Sequence, residues 1–160
     1  MGIDYFVKEE TVDDKVIRVK IWDTAGQEQY KSLTKNFYRK SNGIIIVFDL
    51  TDNDSFQTVS GWFKNAKEFS EENIKMILIG NKFDLTRVVP FEEAKSLAET
   101  LNIPYFETSA KENKGINEAI RKLVADVIGG NCNFQNNNSN KVIEIKKVNL
   151  IVDNKRKCKC

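Results

Sequence analysis

Three short polar motifs each follow an apolar run and carry side chains suited to binding a ligand. Residues Asp23–Gln27 follow the first of these runs, residues Asn81–Asp84 the second and residues Ser109–Lys111 the third. If the runs are strands of a parallel sheet, all three motifs lie at its carboxyl edge, where open α/β sheets bind their ligands. The sequence therefore predicts one composite site, assembled from three distant parts of the chain.

Asp84 has the chemistry to bind a group that offers two adjacent N–H donors. One carboxylate can accept two N–H bonds, and guanine offers two adjacent donors, on N1 and N2, whereas adenine would leave the carboxylate unpaired. Because an unpaired buried acceptor is costly, such a residue discriminates strongly between the two purines. Each motif alone is a weak signal, but the order and spacing of the three make the combination specific.

The elements that must position these motifs alternate between strands and helices. Two β-rich runs joined by a polar turn predict a hairpin, and two later runs are apolar without alternation, as is typical of strands buried on both faces. The predicted strands are 3–10, 16–22, 43–50, 74–80 and 105–108. Apolar residues at helical spacing predict helices capped at Ser55, started by Pro90 and ended by Gly129-Gly130. The alternation indicates an α/β fold with a mostly parallel sheet flanked by helices.

Composition narrows the possible chemistry. The 160 residues include no histidine, which excludes imidazole base catalysis, Ser-His-Asp triads and histidine metal sites. The three cysteines fit neither a disulfide framework nor a zinc spacing. From Lys141 to the end, seven basic residues oppose two acidic ones, so the last twenty residues carry +5 and the rest of the chain −3. Such a tail favours attraction to an anionic membrane over nucleic acid, because no base-reading motif accompanies it.

The motifs resemble those of the Rab family of small GTPases, and the likeness covers residues 1 to about 128. Further matching segments are Gly2–Tyr5, Arg18–Trp22, Tyr30–Leu33, Phe37–Arg39 and Ile45–Asp52. The resemblance implies the P-loop small-GTPase fold, binding of GTP and GDP with Mg²⁺, and a GTP-hydrolysing switch that directs vesicle traffic. Implied partners are the Rab escort and prenylation machinery, the GDP-dissociation inhibitor and effectors, bound by a monomer on the cytoplasmic face of a membrane with a cytosolic pool.

The resemblance also assigns roles to single residues. It implies that Asp23 holds Mg²⁺ through water, that the Gly26 backbone approaches the γ-phosphate and that Gln27 orients the attacking water. On the base side, it implies that Asn81 braces its loop, that the Lys82 stem lies along the base and that a backbone N–H of Ser109–Lys111 reaches guanine O6. The expected nucleotide-binding residues are Asp23, Thr24, Ala25, Gly26, Gln27, Asn81, Lys82, Asp84, Ser109, Ala110 and Lys111.

Three aromatic residues match the positions that Rab effectors read. They are Tyr5, Trp22 and Phe37. Large aromatics on a surface are typical anchors of protein interfaces. The alternative interpretation is that these aromatics are partly buried core residues, and it is strongest for Phe37.

Residues 131–160 are expected to form a flexible hypervariable tail behind a GTPase domain spanning 1–130. The tail ends in Cys158-Lys159-Cys160, which resembles the Rab signal for two geranylgeranyl groups. Two lipids are consistent with the physics, because one chain gives only marginal membrane binding. The alternation in Val142–Val152 suggests a strand, but no downstream segment is available to pair with it, so a strand is not expected here.

No Gly-x-x-x-x-Gly-Lys-Ser/Thr motif occurs in the sequence. By the resemblance, the first strand, P-loop, first helix and switch I are expected to be missing from this chain. Strands 16–22 and 43–50 would then have open edges, and nucleotide would bind poorly. The alternative function is a non-catalytic, prenylated Rab-like binding module, or a truncated product, that does not bind nucleotide effectively.

Overall fold

A computed structural model describes residues 4–12, 15–23, 38–129 and 142–149. The strands are β1 (Asp4–Val12), β2 (Lys15–Asp23), β3 (Gly43–Asp49), β4 (Lys75–Asn81), β5 (Tyr105–Thr108) and β6 (Val142–Asn149). The helices are α1 (Asn53–Gln57), α2 (Val59–Phe69), α3 (Phe91–Thr100) and α4 (Ile116–Gly129). No helix within the described residues is both long and apolar enough to cross a membrane.

The strands form one sheet in the order β1-β2-β6-β3-β4-β5. β1 and β2 are antiparallel and pair along their whole length, which confirms the predicted hairpin. Every other neighbouring pair in the sheet is parallel. The predicted α/β fold with a mostly parallel sheet flanked by helices is therefore confirmed.

Apolar side chains fill both faces of this sheet. On one face Ile44, Ile46 and Phe48 of β3 pack with residues of α1, α2 and α3. On the other face Ile45 packs with α4, where Leu123 is fully buried. Alternate residues of one strand thus enter different cores, which explains why its sequence is apolar without alternation.

The first helix begins differently from the prediction. Its N-cap is Asp52, whose side chain accepts a hydrogen bond from the Asp54 N–H at 3.0 Å. Ser55 lies inside α1 and is fully buried. Its hydroxyl donates to the Asp52 carbonyl at 2.8 Å and accepts from the Asp49 N–H at 3.0 Å. Ser55 therefore ties the helix to the end of β3 instead of capping it.

The centre of the sheet corrects two expectations. Residues 142–149 form β6, which pairs in parallel with β2 on one side and with β3 on the other. The prediction of no strand here was therefore wrong, because the pairing partners lie upstream in the chain. The edges of β2 and β3 that were expected to be open are paired with β6. The rest of the predicted flexible tail lies outside the described residues.

Candidate functional site

The carboxyl ends of three neighbouring parallel strands place polar residues side by side. Asp49 ends β3 and is aligned with Asn81 at the end of β4, which is aligned in turn with Thr108 at the end of β5. Parallel pairing forces this alignment, since all three strands run in one direction from a common edge. The second and third predicted motifs therefore meet at one edge of the sheet.

Asn81 joins the two loops that leave this edge. Its side-chain oxygen Oδ1 accepts hydrogen bonds from the Thr108 hydroxyl and from the Ala110 N–H, both at 3.1 Å. A backbone bond from the Phe83 N–H to the Thr108 carbonyl, at 3.2 Å, lies beside them. The bracing role that the resemblance implied for Asn81 matches this geometry.

Asp84 is oriented by the buried hydroxyl of Ser109. The Ser109 Oγ donates to Asp84 Oδ1 at 2.5 Å, and it accepts from the Glu112 N–H at 3.1 Å. Ser109 is fully buried, whereas Asp84 is half-buried. The carboxylate is therefore fixed from behind while part of it faces solvent, which suits an acceptor for ligand N–H groups.

The turn behind Ser109 needs a glycine. Ser109 and Lys114 exchange two backbone hydrogen bonds of 3.1 Å. Gly115 follows with φ +73°, and a Cβ there would lie 2.5 Å from the Glu107 carbonyl oxygen. Only glycine fits this left-handed conformation and close approach without strain. The turn that places Ser109 under Asp84 thus depends on a residue six positions further on.

Lys82 has an ion-pair partner that the sequence analysis did not identify. Its Nζ lies 2.6 Å from Asp49 Oδ2, and its backbone takes the unusual φ of +69°. Asp49 also accepts from the N–H and hydroxyl of Thr51, at 2.8 and 2.7 Å. Burial alone would raise the pKa of the Asp49 carboxyl, but the hydrogen bonds from Lys82 and Thr51 outweigh it and hold the pKa below its ordinary value. One signal for this role was available, because Asp49 is a charged residue at the end of an apolar, buried strand.

A second ion pair fixes the loop after Asp84. Arg87 binds Glu107 through two parallel N–H···O bonds of 3.0 and 2.6 Å. Tyr105 donates to the same carboxylate at 2.9 Å. Burial, and after it this hydrogen bond, raises the pKa of the Tyr105 hydroxyl. The bond to Glu107 also raises the pKa of the Arg87 guanidinium. This fork-shaped pairing holds residues 82–90 against β5.

The Ala110 N–H is already used within the protein. It donates to Asn81, as described above. If this N–H also contacted guanine O6, one donor would be shared between two acceptors, the Asn81 side chain and the base. Lys111, the third residue of the predicted motif, is exposed beside it.

Two of the three predicted effector aromatics lie together on the hairpin. Tyr5 and Trp22 are register partners of β1 and β2, and their ring centroids are 4.8 Å apart. Tyr5 is 45% exposed, and the Lys20 ammonium lies 5.7 Å from its ring centroid. The hairpin therefore presents an aromatic pair at the surface.

Several predicted residues fall outside what the structure describes. For Asp23 the backbone alone is described: it ends β2 at the same edge of the sheet and is aligned with Lys147 of β6. The predicted residues outside the described ranges are Thr24, Ala25, Gly26, Gln27, Phe37, Cys158 and Cys160. Within the described ranges, no group of three or more acidic or cysteine side chains converges as metal ligands would.

Comparison with known proteins gives a consistent result. A model of the Ras family matches residues 1–129. The chain is 40% identical over 129 residues to Ras-related protein RABD2a of Arabidopsis thaliana, and 43% identical over 129 residues to Ras-related protein Rab-1C of Dictyostelium discoideum. Each alignment covers 79% of this chain and 64% of the relative, so the chain spans less than two thirds of their length. Ras-related protein Rab-1D of Dictyostelium discoideum is 36% identical over 162 aligned positions, covering 100% of this chain and 79% of the relative.

Proposed function

Because this chain belongs to the Rab family of small GTPases, we propose that it binds GTP and GDP at the carboxyl edge of its sheet. The observation that carries the proposal is the network joining Asn81, Asp84 and Ser109. It holds a half-exposed carboxylate in a fixed orientation between two braced loops.

Selection for guanine follows from the chemistry of this carboxylate. Asp84 can accept the N1–H and N2–H of guanine, while Ser109 keeps it from rotating away. Adenine has a lone pair on N1 and a hydrogen on C2, so it would leave the carboxylate facing an acceptor. A site built around such an acceptor rejects the wrong base by the cost of the unpaired group.

The phosphate side of the proposed site rests on the family resemblance. Asp23 would hold Mg²⁺ through water, the backbone of Thr24, Ala25 and Gly26 would lie beside the γ-phosphate, and Gln27 would orient the attacking water. When bound, Mg²⁺ neutralises the charge that develops on the phosphates. The reaction proposed for this side is the hydrolysis of GTP to GDP.

The proposed cellular role is that of a lipid-anchored switch in vesicle traffic. Cys158 and Cys160 would carry geranylgeranyl groups, and basic residues near them would add about 1 kcal/mol each close to anionic lipid. Tyr5 and Trp22 would contact effectors, because exposed aromatic pairs are frequent interface anchors. The escort and prenylation machinery and the GDP-dissociation inhibitor would bind this anchored form.

A base-selectivity experiment tests the proposal on the full chain. Titration with fluorescent GDP is expected to saturate only weakly, because the sequence contains no P-loop motif to hold the phosphates, and unlabelled GDP but not ADP should compete. In Asp84→Asn one acceptor becomes an N–H donor, which should weaken GDP binding by about 2–4 kcal/mol, or roughly 30- to 1000-fold. Xanthosine diphosphate carries a carbonyl where guanine carries its amino group, so it should bind the variant better than GDP does.

Asp126→Asn is the matched control. It makes the same charge change on α4, where Asp126 pairs with Lys122 away from the three motifs. The affinities for GDP and for xanthosine diphosphate should both stay unchanged. If the unmodified chain shows no saturable GDP binding, the proposal fails and the non-catalytic binding module becomes the better description.

A further inference from the structure

The strand β6 connects two parts of the sheet that are not otherwise paired. Arg18–Asp23 of β2 align with residues 142–147 of β6, and Gly43–Val47 of β3 align with residues 145–149. In the described strand order, β2 and β3 are separated by β6. Within the described sheet, backbone pairing between the hairpin and the other strands therefore passes through the C-terminal segment alone.

The strands on both sides of β6 contribute to the buried core. Ile17 and Val19 of β2 are 1% and 0% exposed, and Ile44 and Ile45 of β3 are 0% and 3% exposed. Without a strand between them, β2 and β3 would each present a row of unpaired N–H and C=O groups next to these apolar side chains. A strand edge of this kind binds any extended segment that fits it.

We propose that the position of β6 between β2 and β3 acts as a binding site for a separable strand, so that residues 142–149 stay bound there even when the connection to α4 is cut. The chemical class of the ligand is an extended peptide that adds as a parallel strand on both sides. The crossover from β5 to β6, residues 109–141, contains α4 and is 33 residues long. A crossover between parallel strands needs only about a dozen residues, so the chain can supply its own strand and does not need a second copy.

Occupation of this site changes what the end of the chain can reach. With β6 bound, Cys158 lies nine residues beyond Asn149 and extends at most about 30 Å from the sheet. With β6 released, the tether would start at Gly129, twenty-nine residues away, and could span about 100 Å. Under the proposed lipid anchoring, on which this consequence rests, strand binding holds the domain close to the membrane.

Cleavage of the connecting segment tests whether the strand is bound. A seven-residue protease recognition sequence replaces residues 133–139 of the full chain, which keeps its length. After cleavage under native conditions, the fragment containing β6 is expected to co-elute with the body in size-exclusion chromatography. Separation of the fragment from a body that keeps its circular dichroism would overturn the proposal.

Substitutions within the fragment make the test specific for the strand. Ile145 aligns with both Ile21 of β2 and Gly43 of β3, and proline is excluded from central strands because it lacks the N–H. Ile145→Pro is expected to release the fragment, whereas Ile145→Val and the matched proline control Asp153→Pro should retain it. Retention of the Ile145→Pro fragment would contradict a strand between β2 and β3.

Disulfide formation tests the register and the source of the strand. In a chain with Cys132, Cys158 and Cys160 changed to serine, the pair Lys20→Cys and Glu144→Cys places two thiols on aligned residues, about 5 Å apart between strands. The control pair Lys20→Cys and Val148→Cys is four residues out of register, about 13 Å. A monomeric disulfide is expected in the first pair alone; a disulfide dimer would assign the strand to a second copy and overturn the proposal as stated. Neither the cleavage experiment nor the disulfide experiment measures nucleotide binding. Failure of the strand proposal can therefore be distinguished from failure of the proposed function.

Discussion

The two parts of the sheet that β6 joins are held together in different ways. We call β3, β4 and β5 with the loops 82–90 and 109–115 the base half, and β1 with β2 the hairpin half. In the base half, hydrogen bonds that Asn81 and Asp84 accept link the two loops, and Arg87 donates to Glu107 of β5. In the hairpin half, Tyr5, Phe6, Val7 and Val16 are large apolar residues that remain exposed.

Besides its pairing with β6, the hairpin half is joined to α4 by polar contacts of its described residues. Glu10 is 5% exposed and lies 2.6 Å from the Lys8 ammonium and 3.7 Å from Arg121 of α4. Lys8 also donates to the Asn117 side chain at 2.6 Å. The base half is therefore organised by local loops, whereas the placement of the hairpin half depends on contacts with the C-terminal part of the chain.

The largest effect on stability is expected from Gly115→Ala, which changes the turn at residues 109–115 of the base half. The new Cβ would lie 2.5 Å from the Glu107 carbonyl at a φ of +73°, so the turn must move. We expect a loss of about 3 kcal/mol in the free energy of unfolding, combining backbone strain with the clash. Urea denaturation measures it.

Gly61→Ala is the control for this substitution. Gly61 lies within α2, and a Cβ there would meet nothing within 4 Å. It should raise the free energy of unfolding by about 0.5–1 kcal/mol, the usual preference of a helix for alanine. Equal losses in the two variants would refute the special role of Gly115.

Glu10→Gln tests how the hairpin half is held. It removes the buried negative charge that Lys8 and Arg121 face, and we expect a loss of about 2 kcal/mol in stability, since a buried carboxylate among cations is exchanged for an amide. Hydrogen exchange should show faster opening of β1 and β2 than of β4 and β5.

Glu9→Gln is the neighbouring control, because Glu9 is 62% exposed and pairs loosely with Arg18 at 3.7 Å. It should change stability by under about 0.5 kcal/mol. If hydrogen exchange in the Glu10→Gln protein is equally faster in both halves, Glu10 does not hold the hairpin half specifically.

Ser109→Ala tests whether the Ser109 hydroxyl supports Asp84 in the base half. It removes the donor to Asp84 and the acceptor for the Glu112 N–H. We expect a loss of about 1.5 kcal/mol in stability and a similar loss in GDP affinity, roughly tenfold, because Asp84 is no longer fixed. Ser60→Ala is the control, because Ser60 is exposed, and it should leave stability and GDP affinity unchanged. Full GDP affinity in Ser109→Ala would show that Asp84 needs no support from Ser109.

The smallest effect concerns the dependence of stability on acid. The pKa of Asp49 is lower in the folded protein than the ordinary value of an aspartate, so its ion pair with Lys82 contributes stability above about pH 4 that is lost as the pH falls through the folded pKa. Asp49→Asn should flatten this part of the stability curve by under about 1 kcal/mol. An unchanged acid limb in the variant would show that the ion pair makes no net contribution.

The local elements and the two loops of the base half were predictable from the sequence. Buried strands, the hairpin turn and the start of α3 after Pro90 each have a signal within a few residues, because periodicity, turn chemistry and proline restrict the backbone locally. Asn81, Asp84 and Ser109 were predictable because each lies at the end of a strand or within three residues after it, and these strands share one edge of the sheet. Asp52 displaced Ser55 as the cap of α1 because Ser55 finds partners at the end of β3.

The sequence by itself thus determined the family, the α/β fold and the residues of the base half. Tertiary structure alone decided that Asp49 pairs with Lys82, that Glu10 is buried against α4 and that residues 142–149 complete the sheet. The physical reason is the separation along the chain: Val19 and Ile143 are 124 residues apart yet aligned in neighbouring strands. A local pattern marks a segment as able to form a strand, but the edge with which it pairs is selected by the assembled sheet.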